Sequence, residues 1–214
     1  MQVPDSEDDQ ECSSDSDEEM GEVARTPAKQ AILGRLACSS RDGNASALLE
    51  HAVQQLGKYE IISYGPESEG EIKAYIVGKE TKRGWGLLQA IACGVPLVSE
   101  DWLSSSISEG KWKAMNVFRS DQFGQSPRSV EAGATTVRIL EGQRIKILSD
   151  KKDAASIRKL VKLCGGRIAE TRMDVVINDG AHVLGGCANV EKKWLADSVE
   201  AGEVMDFEGY IVEP

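Results

Sequence analysis

Apolar positions along this chain follow two periods, one of three to four residues and one of short β-branched runs. Residues 45–56, ASALLEHAVQQL, put Leu48, Leu49, Ala52, Val53 and Leu56 on one helical face and stop at Gly57. Residues 154–164, AASIRKLVKLC, do the same with Ile157, Leu160, Val161 and Cys164, and stop at Gly165-Gly166. Residues 84–93, GWGLLQAIAC, read as a third, more apolar helix. Around these lie short runs that predict strands at 35–39, 60–63, 74–77 and 96–98, then at 144–148, 167–170, 174–177 and 188–190.

The pattern repeats at an offset of 92 positions. Val98, Trp102, Leu103, Ser106, Ile107 and Gly110 are matched by Val190, Trp194, Leu195, Ser198, Val199 and Gly202. Each set predicts a helix with one apolar stripe, a small Ser that lets backbone approach, and a closing glycine. The order β-α-β-β-(α)-β-α thus occurs twice. It predicts two small α/β units, each a four-stranded, mainly parallel sheet flanked by helices. Where the first unit has its middle helix, the second has only residues 180–187, GAHVLGGC, too short and too glycine-rich for more than a turn. The middle helix of the second unit is expected to be absent or shortened. The implied organisation is a tail at 1–29, a first unit at 30–120, a polar linker at 121–141 and a second unit at 142–214.

Charge changes this picture at one end. Residues 1–22 hold ten carboxylates and no Lys or Arg, which leaves 25 acidic and 25 basic residues in the remainder. The acidity therefore belongs to the tail, which is too polar to bury a core and is expected to be disordered. Ser6, Ser14 and Ser16 each precede a carboxylate by three residues, the pattern acidophilic kinases prefer, and Thr26-Pro27 suits a proline-directed kinase. A plain solubilising tail is the alternative. The five cysteines (Cys12, Cys38, Cys93, Cys164, Cys187) show no metal-ligand spacing, and only His51 and His182 accompany them. They read as reduced thiols of an intracellular protein, with no metal and no cofactor expected. No 18-residue apolar run suggests a membrane span.

With these residues in place the chain resembles the BRCT family, as a tandem pair over about residues 31–213. The marks are Gly57 closing the first helix, Val98 before Trp102-x3-Ser106-Ile107, and their counterparts Gly165-Gly166, Val190 and Trp194-x3-Ser198-Val199. The resemblance implies that both tryptophans are core residues. It implies that the first unit's middle helix packs on the second unit, with Trp112, Phe118 and Phe123 expected near that junction. It also implies a non-catalytic adaptor binding phosphoserine or phosphothreonine proteins or peptides in the nucleus, in the DNA damage response or in chromosome segregation at the kinetochore.

In such pairs phosphate is held by a Ser or Thr after the first strand, the next backbone N–H, and a Lys early in the middle helix. Ser39 and Ser40 match the first two. Counting back from Gly94-Val95-Pro96, the lysine position holds Gly86, and the nearest cations are Lys82 and Arg83. The pocket that usually reads an apolar residue three places after the phosphate maps to Leu88, Lys152 and Ala196, where Lys152 departs from the apolar norm.

A second reading is DNA binding through Lys151, Arg158, Lys159 and Lys162, helped by Lys152, Arg167 and Arg172. No aromatic residues interleave with these cations, and a solvated helix face explains them equally well. A third is phosphate-independent association. No nucleophile–His pair, metal cluster or P-loop suggests an enzyme.

Overall fold

The computed structural model describes residues 31–39, 41–65, 71–123, 138–149, 151–178, 180 and 183–213. The expected tail with its candidate phosphorylation sites, most of the expected linker, Ser40 and His182 lie outside the described residues. No helix among the described residues is long and apolar enough to cross a membrane.

The first repeat runs β1 (Gly34–Cys38), α1 (Gly43–Leu56), β2 (Tyr59–Ile61), β3 (Ala74–Val77), α2 (Trp85–Ala92), β4 (Leu97–Ser99) and α3 (Asp101–Glu109). The second runs β5 (Arg144–Leu148), α4 (Lys151–Leu163), β6 (Arg167–Ile168), β7 (Val175–Asn178), β8 (Ala188–Val190) and α5 (Lys192–Ala201). Each forms a four-stranded parallel sheet, β2-β1-β3-β4 and β6-β5-β7-β8. No helix lies between β7 and β8 among the described residues, as the glycine-rich 180–187 stretch implied.

Strand alternation explains how the first sheet serves two cores. Leu36, Ala74, Ile76 and Val98 point to a cluster with α1 and α3 around Trp102, while Ala37, Tyr75, Val77 and Leu97 point to the opposite face. That opposite face is covered by α2, and there the core continues without a break into the second repeat. Leu87, Leu88 and Ile91 join Ile157, Leu160, Val161, Trp194 and Leu195 in one buried cluster. Gln89 of α2 is also fully buried, and neither polar atom of its amide has a partner among the described residues.

The recurring Trp-x3-Ser spacing has a specific physical cause. The Trp102 Nε1–H donates to the Lys113 carbonyl at 2.9 Å, and the Lys113 N–H donates to Ser106 Oγ at 3.1 Å. In the second repeat Trp194 donates to the Met205 carbonyl at 2.8 Å and the Met205 N–H donates to Ser198 Oγ at 3.1 Å. One turn of helix thus clamps both backbone groups of a single residue beyond it. Gly110 and Gly202, both left-handed at the helix ends, reverse the chain so that this residue can return. The chain then pairs antiparallel with the last strand, through Val98–Arg119 and Val190–Ile211. Both tryptophans are fully buried, as expected of core residues.

The other aromatics correct one expectation. Trp112 does not lie at the repeat junction: it stacks on Trp102 with ring centres 4.9 Å apart and donates to the Gly57 carbonyl at 2.8 Å. Phe118 packs against the same α1–α3 cluster. Their position follows from the clamp, which brings the chain after Gly110 back across the outer face of the first repeat. Phe123 alone of the three belongs to the core shared by both repeats.

Polar contacts join the repeats around α2. Asp153 at the start of α4 accepts from Trp85 Nε1 at 3.0 Å and from Lys192 Nζ at 2.6 Å. Arg83 pairs with Asp197 and, at 3.2 Å, with Glu200 on α5, and Asp197 also accepts from the Tyr210 hydroxyl at 2.8 Å. Lys159 of α4 donates to the Gly65 carbonyl of the first repeat at 3.0 Å.

Ser106→Ala and Ser198→Ala each cost about 1–2 kcal/mol in urea unfolding, since each leaves a backbone N–H without its acceptor. Lys113→Ala costs less than about 1 kcal/mol, because the clamp uses only its backbone and its side chain adds only an exposed ion pair to Glu109 and a contact over the Phe118 ring. The Lys192 and Trp85 hydrogen bonds hold the Asp153 carboxyl below its ordinary pKa. Its contribution is therefore complete above about pH 4 and is lost as pH falls through the depressed value. Asp153→Asn lowers the melting midpoint at pH 7 by an amount equivalent to about 1 kcal/mol, and the difference from the parent shrinks on going to pH 3.

Candidate functional site

Two loops of the first repeat carry the site, and one buried carboxylate ties them together. Asp42 caps α1 by accepting from the Ala45 N–H at 3.1 Å, and its own N–H donates to the Ser39 carbonyl at 3.0 Å. Its second oxygen accepts from the Thr81 hydroxyl at 2.5 Å, and Thr81 Oγ1 accepts from the Gly78 N–H at 2.9 Å. Asp42 and Thr81 are almost wholly buried, so this network is shielded from competing water. Gly78 makes room for it: a Cβ there would lie 2.5 Å from Asp42 Oδ2. The result places Ser39, three residues before Asp42, beside the segment that begins with Lys82. Ser39 Oγ accepts from the Arg41 N–H at 3.3 Å, and burial raises the pKa of the neighbouring Tyr75 phenol above its ordinary range.

These loops open onto a cleft of ≈780 Å³ that crosses the repeat junction. Ser39, Lys82, Arg83, Leu88, Lys152 and Ala196 all line it, so the phosphate residues and pocket residues anticipated from sequence face one space. Ser40 lies outside the described residues. Leu88 and Ala196 are buried in its floor, whereas Lys82 and Lys152 are exposed. Arg83 is engaged by Asp197 and Glu200 of the second repeat. Lys82 has no hydrogen bond or ion pair among the described residues.

Sequence reasoning passed over several lining residues: Arg41, Tyr75, Trp85, Asp153, Lys192 and Lys193. The Lys192-Lys193 pair before Trp194 was the available signal. The others act across the junction, where no single-helix period can point. Among the described residues, the lining holds six cations and one carboxylate.

The position expected to hold lysine is closed rather than empty. A Cβ at Gly86 would lie 2.4 Å from the Tyr64 carbonyl oxygen, well inside contact distance, so the loop after β2 occupies the volume a side chain would need.

The described candidate DNA-binding residues differ in their surroundings. Arg158 and Lys162 are exposed on α4, while Lys159 is turned to the Gly65 carbonyl across the junction. The side chain of Lys151 lies outside what the structure describes. Among the described residues, no group of three or more His, Cys, Asp or Glu side chains is placed to hold a metal ion.

No family model matches the chain. Among curated proteins it is similar to Microcephalin of Macaca fascicularis, 26% identical over 153 residues, covering 66% of this chain and 18% of that protein. Microcephalin of Colobus guereza is 25% identical over 171 residues, covering 75% of this chain and 20% of that protein. The chain thus spans about a fifth of the length of these relatives. Among solved structures it is similar to the BRCT5-BRCT6 domains of S. pombe Brc1, with a TM-score of 0.51 and 15% identity over 80% of this chain and 93% of that one. Residues 820–1070 of Rtt107p superpose with a TM-score of 0.55 and 12% identity, covering 84% and 91%. Two parallel four-stranded sheets in the same order, two Trp–Ser clamps and these superpositions agree: the chain has the tandem BRCT fold.

Proposed function

We propose that the junction cleft binds a phosphoserine or phosphothreonine segment of a partner protein, and that the chain acts as a non-catalytic adaptor. One observation carries this reading: Ser39 and Lys82, which has no ion pair among the described residues, line one cleft whose described lining holds six cations and one carboxylate. A phosphate dianion needs short hydroxyl or amide donors and a nearby cation, and these residue types supply them. With Gly86 closed, the cation comes from the loop before α2, through Lys82. Arg83, bound to α5, sets the position of that loop rather than meeting the phosphate. The nuclear setting, in DNA damage signalling or chromosome segregation, is part of the proposal and rests on the family resemblance.

DNA binding is less well supported: Lys159 is turned to the Gly65 carbonyl within the molecule, and no described aromatic residue interleaves with the exposed Lys152, Arg158, Lys162, Arg167 and Arg172.

Matched phosphorylated and unphosphorylated peptide libraries, read by fluorescence polarisation, test the proposal. Binding should require the phosphate, disappear in Ser39→Ala and weaken about 10-fold in Lys82→Ala. Equal binding without the phosphate would overturn it. So would binding to duplex DNA alone, with a steep salt dependence removed by Arg158→Glu and Lys162→Glu. Gly86→Lys should leave phosphopeptide affinity no tighter and should cost about 1–3 kcal/mol of stability, since the new side chain meets backbone.

A further inference from the structure

The cations of the cleft are not spread evenly, and pairing them off exposes a pattern. Arg83 is neutralised by Asp197 and Glu200, and Lys192 by Asp153. Asp153 stays ionised, since Lys192 and Trp85 hold its carboxyl below the ordinary value, so this pair is close to neutral as seen from the cleft. The remaining lining cations are Arg41 and Lys82 on the first repeat and Lys152 and Lys193 on the second. None of these four has an ion pair among the described residues. Lys193 rests over the Tyr210 ring at 5.9 Å, which leaves its charge uncancelled. Trp85, Leu88 and Ala196 line the same cleft, and among the described residues its lining holds no carboxylate besides the paired Asp153.

A ligand with one anionic group would answer only half of this arrangement. Building on the phosphopeptide reading above, we propose that the cleft selects a doubly anionic peptide. Its phosphorylated residue meets the Ser39–Lys82 end, and a glutamate or aspartate a few residues away meets Lys152 and Lys193. Lys152 is the residue that decides this specificity. An apolar side chain at the second anchor would desolvate an ammonium without offering it a partner, whereas a carboxylate pairs with it. Exposed charge pairs are individually weak, so the selectivity is moderate and falls with added salt.

The test uses one parent phosphopeptide, alanine at every position except the phosphoserine, scanned with glutamate and separately with leucine from four residues before to four after the phosphate. Glutamate at one or two neighbouring positions should bind about fivefold more tightly than leucine there, with the gain reduced at 0.5 M salt. Lys152→Glu and Lys193→Glu should reverse the glutamate-to-leucine ratio, and Lys152→Leu should bring it to favour leucine. Ser39→Ala should remove binding of every peptide in the scan. Leucine binding as well as or better than glutamate at every position overturns the selectivity proposal and leaves phosphopeptide recognition standing. If no phosphorylated peptide binds above its unphosphorylated twin, the underlying reading falls and this one with it. Thermal melts of each variant separate loss of folding from loss of selectivity.

Discussion

Each repeat is closed by an indole N–H and a serine hydroxyl that hold the two backbone groups of one residue. The clamps at Lys113 and Met205 turn the chain back along the sheet and allow the short antiparallel bridges at Arg119 and Ile211. Burying a tryptophan removes a large apolar surface from water, but its N–H must then find an acceptor. Here the acceptor is a backbone carbonyl whose own N–H is also in need of a partner, and the serine one turn on supplies it. Satisfying both at once makes the final helix and the returning segment a single unit. The sheets and the remaining helices pack around that unit.

The repeat itself was legible because it is written in side chains. Trp102, Ser106 and Gly110 recur 92 places later, and the strand and helix periods around them have only one simple arrangement. The other half of each clamp was not legible. Lys113 and Met205 stand at the same offset yet share no chemistry, since only their backbone atoms take part. The same limit applies at the cleft. Ser39 and Lys82 could be placed by likeness, but the contacts that join the repeats, Trp85 to Asp153 and Arg83 to Asp197, link residues that no local period relates. Glycine at position 86 reads in sequence as a missing cation. In the fold it is a site of close backbone approach, with Tyr64 against it.

Lys82 and Arg83 are adjacent in sequence but have opposite surroundings. Lys82 is exposed on the cleft without a counter-ion among the described residues, and Arg83 is tied to two carboxylates of α5. The site and the junction therefore share one short segment, anchored behind by Thr81 on Asp42. A cleft built this way depends on both repeats being present, because the second repeat supplies part of its lining and also fixes the first repeat's loop.

Phe123 and Leu140 are both buried in the core that the repeats share. They fix the two ends of the intervening chain independently of what lies between. Packing of α2 on α4 and α5 holds the repeats in register. The closure entropy of such a connection rises only with the logarithm of its length, about 0.6 kcal/mol per doubling. Adding residues between these two anchors would therefore cost the closure of the tandem pair only a small, logarithmic increment.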